Sequence, residues 1–342
     1  MNNTKLLDCT LRDGGYINNW NFGQNAIKGI AEMLCDTNVD ILELGFIRDV
    51  EYDADKAVFS DLQQVKDIID TRKKNENQKI AVMAEIAHPM PIEKICDANN
   101  SDVDIIRVIV WKSKRDENGI VRDALEESFE YCKAIVGKGY ELCVQPNRTD
   151  QYNEQEFISM IKKFSQLSPK AIYVVDSWGT MYSGQVLKYM KLADEVMPKR
   201  ISLGFHGHNN MMQAFSTAEK IVEERFDREI ILDASICGMG RGAGNLNLEL
   251  IARYMNVVHG SNYNMDAIYR IYDKYIKEYQ QKYIWGCNIP YLITADINSN
   301  PNYAGALMDT LTAEELKDYL NRLSEEERVL YPLGMPNRRS EK

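Results

Sequence analysis

Short runs of Val, Ile and Leu recur along the chain, and each is followed by a longer stretch in which apolar residues return every three or four positions. The runs stand at 6–9, 41–45, 80–86, 105–110, 141–144, 171–175, 201–205 and 230–234. They are continuous rather than alternating, as in parallel strands covered on both faces. The stretches between them, 25–37, 59–73, 92–99, 125–138, 154–165, 183–196, 211–225 and 246–257, carry a helical period. Eight strands alternating with eight helices over about 250 residues predict an α/β chain folded as a (β/α)8 TIM barrel. An open doubly wound sheet is the competing architecture, and it normally uses fewer strands. The period changes beyond His259. A helix is predicted over 265–283, with Tyr269, Tyr272, Tyr275, Tyr279 and Tyr283 near one stripe that suits a packing or subunit face. A second is predicted over 312–323, where Thr312 and Glu315 form a capping-box pair. The expected division is a barrel domain over 1–258 and a C-terminal helical appendage over 259–342.

Composition narrows the partners. The chain has 342 residues, 44% hydrophobic and 27% charged, with a net charge of −10. It can bury a large core without disulfides. The negative charge argues against a nucleic-acid or anionic-membrane partner. Seven cysteines are scattered and form no Cys-x-x-Cys pair. That usage suits reduced thiols in a cytoplasmic protein. Neither a signal peptide nor a membrane span is expected from the apolar runs.

Two of the four histidines, His206 and His208, stand two apart at the end of the seventh run. Residues i and i+2 of a strand share a side, so both imidazoles can face one divalent ion. Exposed turn histidines are the plainer alternative. In a barrel of this class the active site gathers where strands end at their carboxyl side. The first strand ends in Leu-Asp-Cys-Thr-Leu-Arg-Asp-Gly-Gly-Tyr (7–16), where Asp13 can supply a third hard ligand and Arg12 a fixed cation beside it. Glu43 sits inside an apolar run and must be buried with a partner, for which Arg12 is the candidate. The eighth strand leads into Gly-Met-Gly-Arg-Gly-Ala-Gly-Asn (238–245), a loop whose glycines allow close approach to an anion or ligand.

Taken together, Thr-Leu-Arg-Asp-Gly (10–14), Glu43, His-Gly-His (206–208) and the glycine loop resemble, in order, the signatures of the DRE-TIM metallolyases. The pyruvate aldolases that act on 4-hydroxy-2-oxovalerate resemble the chain most. The resemblance implies that Asp13, His206 and His208 bind a divalent metal, Mn²⁺ first, with Mg²⁺, Co²⁺ or Zn²⁺ as alternatives. Asn245 completes the metal shell in some members. It implies that Arg12 stabilises an enolate, that Glu43 orients Arg12, and that Ser177 meets the pyruvate carboxylate. Tyr291 corresponds to a tail tyrosine that reaches the aldolase site. Two departures stand out. Tyr16 occupies the place of the aldolases' catalytic histidine, and Trp178 a place that is usually small. Tyr16, His88 at the end of the third run and a metal-bound water are therefore the candidate bases.

On this reading the expected activity is a metal-dependent class II aldolase. It joins the enolate of pyruvate to a short aldehyde, or cleaves the resulting 4-hydroxy-2-oxo acid. Arg107, Gln145 and Asn147 are expected to line the pocket, or to form a network at the barrel rim. No lysine has a strand-end setting suited to a Schiff base; Lys112 is the nearest. A Claisen-type acyl-CoA/2-oxo acid synthase and a non-catalytic barrel subunit are the alternatives. The resemblance also implies a homo-oligomer and an aldehyde dehydrogenase partner. Cys237 is expected to be a small core residue.

Overall fold

The computed structural model describes residues 3–115 and 121–331. Eight parallel strands form the barrel: β1 (Thr4–Asp8), β2 (Ile41–Ile47), β3 (Lys79–Glu85), β4 (Ile105–Val110), β5 (Glu141–Pro146), β6 (Ala171–Asp176), β7 (Ser202–Gly207) and β8 (Ile230–Ala234). Each pairs with its sequence neighbours, and β1 closes the ring by pairing with both β8 and β2. This is the predicted (β/α)8 barrel.

Alternate residues of each strand point inward. Leu7, Ile41, Ala81, Ile105, Cys143, Ala171 and Ile231 form one apolar cluster inside the barrel. The polar side chains of Glu43, Arg107, Tyr173 and Asp233 are also fully buried. Gly204, on β7, is required there: a Cβ would lie 2.3 Å from the Tyr173 ring, its neighbour in register. A second, larger cluster joins the outer faces of the strands to the helices around them.

Six of the eight expected helices form: α1 (Gln24–Leu34), α2 (Leu125–Gly137), α3 (Glu154–Ser165), α4 (Ser183–Val196), α5 (Ala214–Glu224) and α6 (Leu248–His259). The two expected after β2 and β3 do not. The chain over 59–73 forms two separate 3₁₀ turns, Leu62–Asp67 and Thr71–Lys73. Asp61 caps the first with its carboxylate, and Asp70 starts the second by accepting from the Arg72 N–H. Such local side-chain bonds compete with a continuous helix. Over 92–99, Pro91 precedes one short 3₁₀ turn, Ile92–Lys94, a second starts at Ala98 (Ala98–Asn100), and the Ala98 N–H is spent on Lys138 O (2.8 Å) just past the end of α2. Between β4 and α2 an antiparallel hairpin, Ser113–Arg115 with Val121–Asp123, replaces a plain loop.

The tail continues as α7 (Met265–Ile271), a π turn (Tyr272–Ile276) and α8 (Lys277–Lys282), which together make the predicted 265–283 helix. Four of the five stripe tyrosines, Tyr272, Tyr275, Tyr279 and Tyr283, pack onto the core, while Tyr269 is exposed. Tyr279 Oη donates to Phe22 O (2.8 Å), and a Cβ at Gly29 of α1 would lie 1.8 Å from Tyr275 Oη. Three helices follow: α9 (Ile289–Asp296), α10 (Asn302–Leu307) and α11 (Ala313–Arg322), the last capped by Thr312 and Glu315 as predicted. A short α12 (Glu325–Val329) ends the described chain. No helix among the described residues is long and apolar enough to cross a membrane.

Asp8, at the end of β1, is fully buried and accepts from the Thr10 N–H (3.1 Å) and hydroxyl (2.7 Å). Burial nevertheless pushes its carboxyl up to about 7. A raised acid binds its proton more tightly in the folded state. Its contribution to stability is therefore complete below the unfolded value near 4 and lost as pH rises to about 7. Chemical denaturation across pH 4 to 8 is expected to show Asp8→Asn gaining on the wild type over this window, by on the order of a few kcal/mol. A constant difference would refute the assignment.

Candidate metal centre

Asp13 and Arg12 lie in the turn that follows β1. This turn is closed by the Asp13 N–H donating to Cys9 O (2.8 Å). Trp20 fixes it from behind, its Nε1–H donating to Arg12 O (2.7 Å). Gly15 makes room, since a Cβ there would lie 2.0 Å from the Trp20 ring. His206 is near the end of β7 and His208 directly follows it. Among the described residues, Asp13, His206 and His208 form the one acid, histidine or cysteine group that could hold a metal ion, its ligand atoms all within 4.8 Å of one another.

The hydrogen-bond partners of the two rings decide what the site can bind. His206 Nδ1 faces Asp233 Oδ2 at 3.0 Å, and His208 Nδ1 faces Arg241 O at 3.1 Å. A carboxylate and a carbonyl only accept, so each Nδ1 carries the hydrogen. Both Nε2 atoms are then bare lone pairs, and they face each other at 3.3 Å, with Asp13 Oδ2 4.0 Å from that of His208. Burial pushes the His208 imidazole down to about 4, so it is neutral at neutral pH. Two lone pairs and a carboxylate turned toward one point repel one another unless a cation sits among them. Ligands at about 2.1 Å from one ion, at right angles, would lie about 3 Å apart. Asn245 adds a buried Oδ1 with no partner, while its Nδ2 donates to Met239 O (3.1 Å). The donor set fits a hard or borderline divalent cation.

The glycine loop serves this centre through close approach, one of the two uses its composition suggested, more than through free N–H donors. The N–H groups of Arg241, Ala243, Gly244 and Asn245 are spent on Asp13, Asn210, Arg241 and Gly238. Most of the loop's donors are therefore already used within the protein. Its glycines allow close approach instead: a Cβ at Gly240 would lie 2.3 Å from Asn245 Nδ2 and 2.7 Å from Asp13 Oδ2.

A chain of buried charges runs beneath the site. Arg12 Nε donates to Glu43 Oε2 (2.7 Å), and Arg12 Nη1 pairs with Asp13. Arg107 Nη1 lies 2.6 Å from the same Glu43 oxygen. Its Nη2 pairs with Asp233, and its guanidinium lies over the Tyr173 ring at 5.0 Å. Asp233 holds His206. Burial alone would raise the Asp233 carboxyl, but Arg107 and His206 outweigh it and keep it below its usual range. Asp13 is likewise held low by Arg12, His208 and His206 against the effect of burial. Glu43 thus has two arginine partners, one more than expected. Arg107 does not line the pocket: it is fully buried inside the barrel. Asp233, which no expectation included, orients a metal histidine in the way carboxylates commonly do.

The inner cavity, about 80 Å³, is bounded by Arg12, Asp13, Tyr16, both histidines, Glu85, Trp111, Gln145, Asn147, Ser177 and Arg241. Ser177 Oγ donates to Asn147 Oδ1 (3.0 Å) and accepts from the Arg148 N–H (2.9 Å). Gln145 Nε2 and Trp111 Nε1 are buried donors without partners. Burial pushes the Tyr16 hydroxyl up to about 12, so at neutral pH it keeps its proton. His88 stands farther out, its ring mostly exposed and 3.3 Å from Glu85 Oε1, which raises it. Tyr291 is buried with Ala243 and Ala304 and does not border the cavity. Trp178 carries the Arg148 guanidinium 3.4 Å above its ring. Cys237, expected in the core, is only half-buried, with Gln280 Nε2 donating to its thiol (3.2 Å). Arg241, Glu85 and Trp111 were missed as site residues. Glu85 is a charged residue at a strand end and Arg241 the one charged residue of the glycine loop, which was the signal available.

The fold is a (β/α)8 barrel, and at the carboxyl ends of its strands it carries a candidate divalent-metal site. The HMGL-like family model matches residues 3–274, and the chain belongs to that family, within the DRE-TIM metallolyases. An oxaloacetate decarboxylase of Mycobacterium tuberculosis is 23% identical over 267 residues, 77% of this chain and 74% of its own length. A 4-hydroxy-2-oxovalerate aldolase of Bacillus cereus is 20% identical over 273 residues, 79% of this chain and 74% of its own length. The structure of the N-terminal domain of a proposed aldolase from Bacteroides vulgatus matches with a TM-score of 0.68 at 25% identity, covering 93% of this chain and 97% of that one.

Proposed function

We propose that this protein is a divalent-metal-dependent aldolase that forms the enolate of pyruvate and joins it to an aldehyde, or runs the cleavage in reverse. The observation that carries the reading is the set of bare donor atoms on Asp13, His206 and His208 beside Arg12, in a cavity of three-carbon size. The residues would hold the cation through Asp13, both Nε2 atoms and Asn245 Oδ1. When bound, it would draw electrons from a chelated 2-oxo acid and make the methyl protons acidic.

The chain's own residues do the rest. Nε and Nη1 of Arg12 are committed to Glu43 and Asp13, which fixes the guanidinium plane and leaves Nη2 for the enolate oxygen. Gln145 Nε2, a buried donor without a partner, takes the carboxylate in this reading, and the Ser177 hydroxyl joins it by turning its hydrogen from Asn147 Oδ1. The methyl proton leaves through Glu85, which lines the cavity and contacts His88 in the groove outside. Tyr16 keeps its proton at neutral pH and gives it to the aldehyde oxygen as the new bond forms. It is thus a donor, not the base considered for its position. The decarboxylase relative favours a second reading on the same site: loss of CO₂ from a 2-oxo diacid leaves the same enolate.

Exchange of the pyruvate methyl protons in D₂O, followed by proton NMR, tests the shared step. With Mn²⁺, Mg²⁺, Co²⁺ or Zn²⁺ added, the methyl signal is expected to fade, and EDTA to stop it. No exchange with any of these metals would sink both readings. Oxaloacetate and 4-hydroxy-2-oxovalerate, supplied in turn, then separate decarboxylation from retro-aldol cleavage.

A further inference from the structure

The inner cavity adjoins a wider groove of about 640 Å³, and Tyr16, Glu85, Trp111 and Arg241 border both. The carboxylates of the groove are already matched. Glu85 is paired with Arg48 (2.7 Å) and contacts His88, and Asp49 is paired with Lys94 (2.5 Å). Arg241 differs. Its guanidinium is held by two neutral acceptors from the tail, Asn300 Oδ1 (3.0 Å) and Asn302 Oδ1 (3.3 Å), and lies over the Tyr16 ring at 5.8 Å. Among the described residues no carboxylate pairs with its side chain. Amide oxygens fix an arginine without neutralising it. Trp111, which borders the same cavity and groove, has a buried Nε1 donor with no partner.

The two ends of Arg241 face different tasks. Its main chain belongs to the metal centre, accepting from His208 and donating to Asp13. Its side chain reaches away, past Tyr16, to the tail. A charge where the pyruvate-sized cavity opens into the groove, with its guanidinium turned to the tail, is suited to read a second reactant reaching from the cavity into the groove.

We infer that the aldehyde which meets the enolate carries an anionic group, a carboxylate or a phosphate, that pairs with Arg241 where cavity and groove join. This rests on the aldolase reading. In the step itself the enolate carbon bonds to the aldehyde carbon, and the aldehyde oxygen takes a proton; the anionic group is unchanged and serves recognition alone.

The test compares acceptors at saturating pyruvate in the metal-loaded protein: butanal, succinic semialdehyde and glycolaldehyde phosphate. At least one charged acceptor is expected to exceed butanal in kcat/KM by about 10-fold to 100-fold, the scale of one charge-assisted contact. Which one does so tells carboxylate from phosphate. Arg241→Met is expected to erase that preference, mainly through KM, and Arg241→Lys to restore part of it. Asn300→Ala is expected to raise KM for the charged acceptor more than it lowers kcat. Calorimetric binding of succinate and of inorganic phosphate adds a readout that needs no turnover, with affinity for at least one falling about tenfold in Arg241→Met. Methyl exchange without any charge preference overturns this inference and leaves the aldolase reading standing. Equal losses for butanal and the charged acceptors in Arg241→Met also overturn it. Absence of exchange overturns the aldolase reading.

Discussion

Arg107→Met is expected to cost about 3–5 kcal/mol of stability, the scale on which a broken buried ion pair is felt. Arg107 is wholly enclosed and serves two carboxylates, Glu43 and Asp233, that are equally enclosed. Methionine fills similar space but leaves both carboxylates with one partner fewer, Arg12 for Glu43 and His206 for Asp233. Neither can reach water. Domains of ordinary stability have about 5–15 kcal/mol in hand, so the loss should appear as a large fall in the urea midpoint. Because Asp233 then loses the cation that holds it ionised, its grip on the His206 ring loosens as well. Arg107→Lys keeps a charge but cannot serve both carboxylates as a fork, and should fall between. Adding Asp233→Asn to Arg107→Met should recover part of the loss, since one stranded charge is removed. A methionine variant as stable as the wild type would show that these charges do not hold one another.

These charges also show where sequence reading works. A charged residue inside a continuous apolar run must be buried and paired, and that argument found Glu43. Asp233 offers the same signal in Ile-Ile-Leu-Asp-Ala (230–234), and Arg107 in Ile-Ile-Arg-Val-Ile-Val (105–110). Arg107 was expected at the pocket or in a rim network because it was taken to stand at the end of its strand. Register decides otherwise. It sits level with Met83 and Cys143, three residues short of the end of β4, inside the barrel and not at its rim. Parity along a strand is legible in a sequence; height within a barrel depends on the stagger of strands against one another.

The strands themselves were legible because both faces are covered, which makes most positions apolar. The helices after β2 and β3 were not, because Asp61, Asp70 and Pro91 act through particular backbone bonds that a 3.6-residue period cannot register. The metal centre was legible in part. His206 and His208 are close in the chain, so local geometry fixes their common side. The tail was the least legible. Tyr291 packs against Ala243 behind the glycine loop, while Asn300 and Asn302, which carried no expectation, reach Arg241. Contacts between segments some sixty residues apart leave no periodic trace.

Turnover in Arg12→Ala is expected to fall by about 10²–10³, the usual consequence of removing one fixed donor to a developing oxyanion. The neighbouring geometry allows this loss to be separated from loss of the cation. Arg12 touches Asp13, and its removal lets the Asp13 carboxyl rise from its depressed value toward the ordinary one. An aspartate at its ordinary value is still ionised at neutral pH. Metal content, measured on the purified variant by mass spectrometry, should therefore stay near that of the wild type. Arg12→Lys supplies charge without the fork that reaches Glu43 and Asp13 together, so it should recover little of the rate. Loss of metal along with turnover would mean that Arg12 acts through Asp13, as a support for the cation site. Unchanged turnover with bound metal would remove Arg12 from the chemistry altogether and leave the enolate oxygen to the cation alone.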